Sequence, residues 1–294
     1  MDLAFAAQTL LSGASAGGIY ALVAIGFGVM YRTTRVFNFA QGDFGALGAY
    51  VAFQVWVLWK QPFWLGLVCA CVAVGLVAVL VERVALRPLY RLGEAYTFIS
   101  TIGLGFLIKG GIQQIWGPIS FSVPSVFGDR AVDILGMRVV PQVAWTLAIS
   151  LLLSMAMFLL FKLTKVGTAM RAAAQDRRVS GLLGIEVNRM YGLAFFLGGA
   201  LGALAGILIA PIGFMNPTLG TSLGVPGMVA ALVGGLGSMP GAIVGGLLLG
   251  ILQAFAVFAI DPRYRDLVVY GAFVAMIIFR PRGLFGEGPQ AREV

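Results

Sequence analysis

R-T-T-R-V-F-N-F-A-Q-G-D-F-G-A-L-G-A-Y, residues 32–50, is the stretch that decides the fold of this chain. It places three polar side chains, Asn38, Gln41 and Asp43, between two long apolar runs, where a simple membrane helix would carry none of them. Polar side chains and loosened backbone are tolerated at membrane depth only against protein or a water-filled cavity. The stretch therefore predicts a broken membrane segment whose polar side chains mark a pathway.

The composition of the whole chain is that of a membrane protein. Of its 294 residues, 60% are hydrophobic and 11% are charged, and the mean hydropathy is +0.95. Four long runs contain no charged residue: 3–31, 61–81, 139–161 and 190–260. Because about 20 apolar residues make one helical pass, the last run alone is long enough for three passes. We therefore predict an all-α, polytopic membrane protein.

The hydrophobic segments number nine. They fall near residues 8–30, 39–58, 63–81, 96–115, 142–161, 191–211, 225–238, 241–260 and 267–279. The seventh and the ninth are short and are expected to be re-entrant or half-helical, so the predicted count of membrane segments is eight to nine. Because the core of such a protein is helix packed against helix in lipid, residues 1–294 are expected to form a single transmembrane domain.

The basic residues are distributed unevenly between the two sides of this helical series. If the N-terminus is outside, fourteen Lys and Arg residues lie in the inner loops, five lie outside and Lys109 lies within the fourth segment. The inner set is Arg32, Arg35, Arg83, Arg87, Arg91, Lys162, Lys165, Arg171, Arg177, Arg178, Arg189, Arg280, Arg282 and Arg292, and the outer set is Lys60, Arg130, Arg138, Arg263 and Arg265. Cytoplasmic loops carry the excess of Lys and Arg, which predicts an external N-terminus and a cytoplasmic C-terminus. The net charge of +8 then reflects topology and attraction to anionic lipid, not nucleic-acid binding.

Missing residues and motifs exclude several kinds of chemistry. The chain has no histidine, which excludes a His-based triad, a His metal site and an imidazole proton relay. Cys69 and Cys71 are two residues apart in a helical segment and point to different faces, which disfavours a disulfide or a thiolate metal site. No G-x-x-x-x-G-K-[ST] loop is present, so we expect no nucleotide hydrolysis by this chain. We predict no catalytic and no metal-binding residues.

The longest inner connection is the loop at residues 162–189. Its middle, G-T-A-M-R-A-A-A-Q-D-R-R-V-S-G-L-L-G-I, is typical of a short helix with Thr168 as N-cap and an end at Gly181 or Gly184. The loop has six basic and two acidic residues, a charge of +4. Two interpretations fit this composition: the small alanines slide into a groove on a cytoplasmic partner, or the helix rests on anionic headgroups.

Two helix starts interrupt the apolar pattern, one in each half of the chain. Ser238-Met239-Pro240 is typical of a helix start, with Ser238 as the cap and Pro240 in the first turn. Gln41-Gly42-Asp43 is typical of another, with Asp43 near the positive end of the helix dipole. Interrupted segments in corresponding places point to a transport path between two repeats, although no repeat is visible residue by residue. The glycine pairs that follow predict close helix packing: Gly241–Gly245 and Gly246–Gly250.

Four segments of the chain resemble one known family. Residues 36–50, V-F-N-F-A-Q-G-D-F-G-A-L-G-A-Y, look like the signature of the inner-membrane permeases of ATP-driven branched-chain amino acid importers, the LivH type. The resemblance continues in residues 170–185, 234–245 and 280–286, in the family's order and over nearly the whole chain. Gln41 departs from the family's pattern, because many relatives are expected to carry histidine there. Glutamine keeps the hydrogen bonding but removes a titratable group, which argues against a pH-gated role at this position.

The resemblance implies a division of labour among subunits. Such permeases pair with a related second permease, two cytoplasmic ATPase subunits and an external, periplasmic solute-binding protein. This chain would then carry no cofactor, while ATP and Mg²⁺ are used by the partner ATPases. It would be a multi-pass protein of the bacterial inner membrane that transports its substrate by alternating access.

The resemblance also implies roles for single residues. The loop at 162–189 would contain the coupling helix, which docks on an ATPase and transmits its closure. Docking would involve Arg171, Ala172, Ala173, Ala174, Gln175, Asp176, Arg177 and Gly184. The path, or the helix breaks that shape it, would involve Asn38, Gln41, Asp43, Ser238 and Pro240. The alternative for these polar residues is helix capping and interhelical hydrogen bonding, which we favour for Asp43.

Lys109 is the one basic residue that lies within a predicted membrane segment. Lys109 follows about 14 residues of the fourth pass, or ~20 Å of helix, so we favour an amine that reaches the outer interface over a substrate contact.

Branched-chain amino acids are the family's default substrates, but related permeases carry urea, short amides or aromatic acids. A secondary transporter driven by an ion gradient is the competing class. It would normally bury coupling carboxylates, whereas Asp43 is the one acidic candidate and residues 190–260 contain none.

Overall fold

The computed structural model describes residues 3–126, 128, 132–134, 137–213, 215–280 and 282–286. Its helices are α1 (Leu3–Thr34), α2 (Gln41–Phe53), α3 (Phe63–Val81), α4 (Arg87–Leu89), α5 (Glu94–Trp116), α6 (Pro141–Leu163), α7 (Lys165–Gln175), α8 (Arg177–Leu182), α9 (Val187–Ile209), α10 (Leu219–Gly234), α11 (Met239–Ala259) and α12 (Arg265–Phe279). Single π-helical turns, Gln54–Leu58 and Glu82–Leu86, follow α2 and α3, and a 3-10 turn, Pro262–Tyr264, precedes α12. Arg130 and Arg292, which belong to the charge comparison above, lie outside the described residues.

Each of the nine hydrophobic segments coincides with a helix. Within the described residues, six helices are long and apolar enough to cross a membrane by length and composition: α1, α3 with its extension to Leu89, α5, α6, α9 and α11. Helix α10 is apolar but has only 16 residues, and α2 and α12 have 13 and 15. The chain is therefore a multi-pass, predominantly helical membrane protein.

The all-α architecture that we predicted contains one short hairpin, between α5 and α6. Two strands of three residues each, β1 (Val132–Ile134) and β2 (Met137–Val139), pair there as an antiparallel hairpin. Both strands alternate apolar and polar residues, V-D-I and M-R-V, which is the period of an extended strand rather than of a helix. The hairpin is small and leaves the helical architecture unchanged.

Helix α1 lies at the centre of the packing. The side chains from Ile19 to Met30 include many that are completely buried, and α1 contacts α6, α9, α10 and α11. Helices α5 and α6 instead expose large apolar side chains such as Leu107 and Leu152. An exposed apolar face is what bilayer hydrocarbon requires of a helix at the periphery. The chain therefore has a buried centre around α1 and an apolar outer surface.

Glycines allow α11 to approach two neighbours at backbone distance. A Cβ atom on Gly246 would lie 2.6 Å from the backbone nitrogen of Ala21 in α1, and one on Gly250 would overlap the backbone of Gly13. The pair Gly241–Gly245 meets the backbone of α10 in the same way. Contacts this close exclude any larger residue, so the close packing predicted from both glycine pairs is confirmed.

The chain folds back on itself after α1. Arg35 adopts a positive φ of 58°, which ends the helix and reverses the chain. The side chain of Gln41, the first residue of α2, then packs against Gly26, eight residues before the end of α1 at Thr34. At 1.5 Å per residue, α2 therefore begins about 12 Å back along α1. This offset places the start of α2, with its polar residues, inside the helical packing.

Candidate functional site

Asp43 lies in the first turn of α2 and faces two other helices. A Cβ atom on Gly105 of α5 would lie 2.6 Å from its Oδ2 atom, and one on Gly220 of α10 would lie 2.9 Å from its Cα atom. Both positions therefore require glycine to leave room for the carboxylate. The carboxylate also lies beside the first turn of α10, where the helix dipole favours a negative charge.

A cavity of about 140 Å³ opens beside this carboxylate. Its polar lining comes from Asp43, Thr101, Lys109 and Thr221, on α2, α5 and α10. Its apolar lining includes Phe27, Phe39, Ile102, Phe106, Val225 and Met228. An apolar pocket with a few convergent polar groups is the usual form of a small-molecule site.

Lys109 also lines the cavity. It is four residues after Gly105 on α5, so the two share one face of the helix and Lys109 stands one turn above the carboxylate of Asp43. The position of Lys109 within the fourth pass carried no information on which helices lie beside it.

Asn38 and Gln41 are fully buried and do not line this cavity. The Nε2 atom of Gln41 donates a 2.8 Å hydrogen bond to the carbonyl oxygen of Gly198 in α9. The Oδ1 atom of Asn38 accepts from the backbone nitrogen of Ala40 at 3.2 Å. These contacts correspond to the capping and interhelical bonding that the sequence left open as an alternative, and they hold the break in its conformation.

Ser238 and Pro240 form the start of α11. The Oγ atom of Ser238 accepts a 3.2 Å hydrogen bond from the backbone nitrogen of Gly241, and Pro240 occupies the first turn. Neither residue lines the cavity beside Asp43. Of the five residues expected at a path or a helix break, Asp43 alone borders this cavity.

The loop at 162–189 contains two helices where the sequence suggested one. Thr164 is the N-cap of α7, and its Oγ1 atom accepts from the backbone nitrogen of Gly167 at 3.1 Å. The proposed cap, Thr168, is wrong, because Lys165 and Val166 extend the helix by one turn. The chain bends at Asp176, whose extended backbone separates α7 from α8.

Asp176 stabilises this bend as the N-cap of α8. Its Oδ1 atom accepts from the backbone nitrogens of Val179 at 3.0 Å and Arg178 at 2.7 Å. These two hydrogen bonds hold the pKa of the exposed carboxyl below its ordinary value. The carboxylate, and with it the cap, is therefore retained throughout the neutral pH range.

Several residues that we expected to contact a partner subunit form contacts within this chain instead. The guanidinium of Arg171 donates to the carbonyl oxygen of Phe161, at the end of α6, and to Oγ1 of Thr168 at 3.1 Å. Arg177 donates to Oδ1 of Asn188 at 3.0 Å, at the start of α9. Both arginines therefore connect the loop to its neighbouring helices.

Ala173 requires a correction. Its side chain is 1% exposed and packs with Val187 and Tyr191 of α9, so it is unavailable to a partner. Ala173 is buried because it lies on the face of α7 that packs against α9, and the sequence of the loop did not indicate which face that is. Ala172 and Ala174 are partly exposed, and Gln175 is exposed. Gly184 is exposed and has a φ of +82°, which lets the chain leave α8.

An exposed apolar surface on α8 was missed. Val179, Leu182 and Leu183 are 51%, 88% and 75% exposed on a loop that is otherwise charged. We refer to these three residues as the apolar tip. The sequence V-S-G-L-L could have indicated this surface. It places three large apolar residues in a basic loop, where they do not form the apolar face of an amphipathic helix.

Comparisons with known proteins cover nearly the whole chain. A family model described as "Branched-chain amino acid transport system / permease component" matches residues 9–277. The high-affinity branched-chain amino acid transport system permease proteins LivH of Escherichia coli (strain K12) and BraD of Pseudomonas aeruginosa are each 30% identical, over 98% of this chain and 97% of their own length. A probable LivH protein of Methanocaldococcus jannaschii is 29% identical over 87% of this chain and 83% of its own length.

Proposed function

This chain belongs to the branched-chain amino acid transport permease family, and on that premise we propose that it is the membrane subunit of an ATP-driven importer of branched-chain amino acids. The observation that carries the proposal is the match of the family over residues 9–277, together with relatives matched over nearly their full length. The chain has no phosphate-binding glycine loop of its own. ATP and Mg²⁺ are accordingly used by two partner ATPase subunits, and this chain is not an enzyme.

Transport follows from alternating access in this proposal. A related second permease completes the membrane part, and an external solute-binding protein delivers the amino acid. Closure of the ATPases moves the loop at 162–189 and opens the path towards one side at a time. Asp43 lines this path, Asn38 and Gln41 hold the helix break beside it, and Ser238 with Pro240 holds the second helix start.

The coupling loop docks through its exposed surface. The apolar tip, with Gln175 and Gly184 on either side, forms the contact with an ATPase subunit. Large apolar side chains that are exposed in a charged loop are typical of a protein interface. Arg171, Asp176 and Arg177 orient that surface by their contacts with α6, α8 and α9.

The orientation and the number of passes complete the proposal. The excess of basic residues on one side supports an external N-terminus, a cytoplasmic C-terminus and a location in the bacterial inner membrane. Eight to nine membrane segments result if α2, α10 and α12 are added, in whole or in part, to the six long helices.

Cysteine labelling tests the orientation. In a chain with Cys69 and Cys71 replaced by alanine, we expect Arg263→Cys to react with a membrane-impermeant maleimide in intact cells. Arg178→Cys is expected to react only after the membrane is permeabilised. Both side chains are exposed, so reactivity reports the side of the membrane. Labelling of the two positions in the opposite order would overturn the orientation and the role of the coupling loop.

Reconstituted transport tests the function. The chain is purified with its partner subunits, placed in proteoliposomes with the external binding protein, and supplied with radiolabelled leucine. We expect uptake to require ATP and to stop when the ATPase subunits are inactivated. Uptake driven by an ion gradient without the ATPases would instead support a secondary transporter. A binding screen of the external protein with leucine, isoleucine, valine, urea, short amides and aromatic acids separates the substrate alternatives.

A further inference from the structure

We propose that the cavity between α2, α5 and α10 is a transient binding site for the charged groups of an amino acid zwitterion. Asp43 receives the substrate's ammonium group and Lys109 its carboxylate. This inference rests on the proposed function and adds to it the residues that recognise the substrate inside the membrane. The observation behind it is that a carboxylate and an ammonium group line one cavity.

Asp43 and Lys109 are close enough to attract each other, but neither is held by a direct contact in the part of the chain that the structure describes. Within the described residues, neither Asp43 nor Lys109 has a hydrogen bond or a direct ion pair through its side chain. Charged groups at membrane depth are costly and are normally paired or placed at a functional site. Two opposite charges that share a cavity without closing on each other leave both able to bind a ligand that carries both signs.

The backbone around Asp43 leaves its carboxylate accessible. The carboxylate lies at the first turn of α2 and beside the first turn of α10, where two helix dipoles present their positive ends. Gly105 and Gly220 leave the space that a side chain would fill. Lys109 attracts this carboxylate electrostatically, and a substrate ammonium group would take over that role and free Lys109 for the substrate carboxylate.

The rest of the cavity matches an apolar amino acid side chain. Phe27, Phe39, Ile102, Phe106 and Met228 form its apolar wall. An aliphatic side chain gains free energy by leaving water for such a wall. Urea and short amides lack both the charges and the aliphatic group, so this lining favours the amino acid among the substrate alternatives.

Protection of an engineered cysteine measures binding without relying on transport. Thr221→Cys places a thiol in the cavity of the assembled, nucleotide-free importer, in the background without Cys69 and Cys71. We expect L-leucine to slow its labelling by a small neutral thiol reagent. Leucinamide, which lacks the carboxylate, and isocaproate, which lacks the amine, should need at least about tenfold higher concentration for the same protection. Ser12→Cys, in a separate pocket between α1 and α11, is the matched control and should not be protected.

Charge variants connect this protection to the two residues. Asp43→Asn and Lys109→Gln should each raise the protecting concentration of leucine at least about tenfold, while Lys109→Arg should retain much of the protection because it keeps the charge. Equal protection by leucine, leucinamide and isocaproate would overturn the proposal. That comparison needs no variant at Asp43 or Lys109, so it remains decisive if Asp43→Asn fails to fold.

The double variant separates substrate binding from simple charge balance. If Asp43 and Lys109 only neutralise each other, Asp43→Asn combined with Lys109→Gln should restore ATP-driven leucine uptake that each single variant loses. We expect the double variant to remain as defective as the singles, and its recovery would overturn the site. Normal uptake by all three variants would also overturn it and would leave the proposed importer intact. Absence of ATP-dependent leucine uptake by the unmodified importer would instead refute the proposed function.

Discussion

Replacing Leu182 and Leu183 together by aspartate is expected to abolish ATP-driven leucine uptake while the chain stays folded in the membrane. Both side chains are among the most exposed apolar groups of the loop and contribute little to the fold of this chain, so their loss costs little stability. An apolar contact that excludes water is where most of the binding free energy of an interface concentrates. Two carboxylates in that contact would remain without partners, and we expect uptake below about a tenth of normal.

Two measurements accompany this prediction. Copurification of the ATPase subunits with the variant should fall together with uptake, because the same contact serves both. The pair Leu182→Met and Leu183→Met keeps an apolar surface and should transport normally. Arg189→Ala removes only an exposed ion pair with Glu186 on the same side, so it should also transport normally. Full uptake by the double aspartate variant would exclude the apolar tip as the docking surface.

Gly206→Val is expected to lower strongly the stability and the yield of the folded chain. A Cβ atom on Gly206 of α9 would overlap the backbone carbonyl of Gly45 in α2. Because the neighbour is backbone and not the end of a flexible side chain, the two helices would have to separate. Overpacking in a well-packed core costs about 1–3 kcal/mol, and a backbone contact belongs at or above the upper end of that range. Separation of α2 from α9 would also break the hydrogen bond between Gln41 and Gly198.

The stability of the purified chain tests this second prediction. Detergent extraction followed by size-exclusion chromatography should give little monodisperse Gly206→Val protein, and its thermal midpoint should be clearly lowered. Gly271→Val is the matched control, because a Cβ atom on Gly271 of α12 meets open space. That control should be extracted and should denature like the unmodified chain. Equal behaviour of the two variants would show that the contact between α2 and α9 is not limiting for the fold.

The sequence predicted those features of the fold that depend on single residues or on neighbours along the chain. The hydrophobic segments coincide with helices because transfer from water to lipid is a property of each residue and adds along the chain. The helix starts at Gln41 and Ser238 were likewise readable from residues within one turn: Ser238 caps α11, and Asp43 lies in the first turn of α2. The hairpin of β1 and β2 was missed because its alternating pattern covers only three residues in each strand.

Prediction of the site was less complete, and the misses have one cause. Asp43 was recognised as a polar residue in an apolar context, but its proximity to Lys109 was not, because 66 positions separate the two residues in the chain. Ala173 was assigned to a partner for a similar reason. A small residue on a short helix fits an external groove and an internal one equally well, and Tyr191 of α9 is what covers it here.

The order of apolar and polar residues by itself determined that this chain lies in a membrane, where its hydrophobic helices lie along the chain, and that the stretch at 32–50 is broken. Only the tertiary structure decided that Asp43 and Lys109 share a cavity, that Asn38 and Gln41 are used for internal hydrogen bonds, and that Leu182 and Leu183 remain uncovered. The physical reason is the distance along the chain over which each effect acts. Hydropathy and capping act on neighbours along the chain, whereas a cavity or an exposed face exists only once helices distant in sequence have packed together.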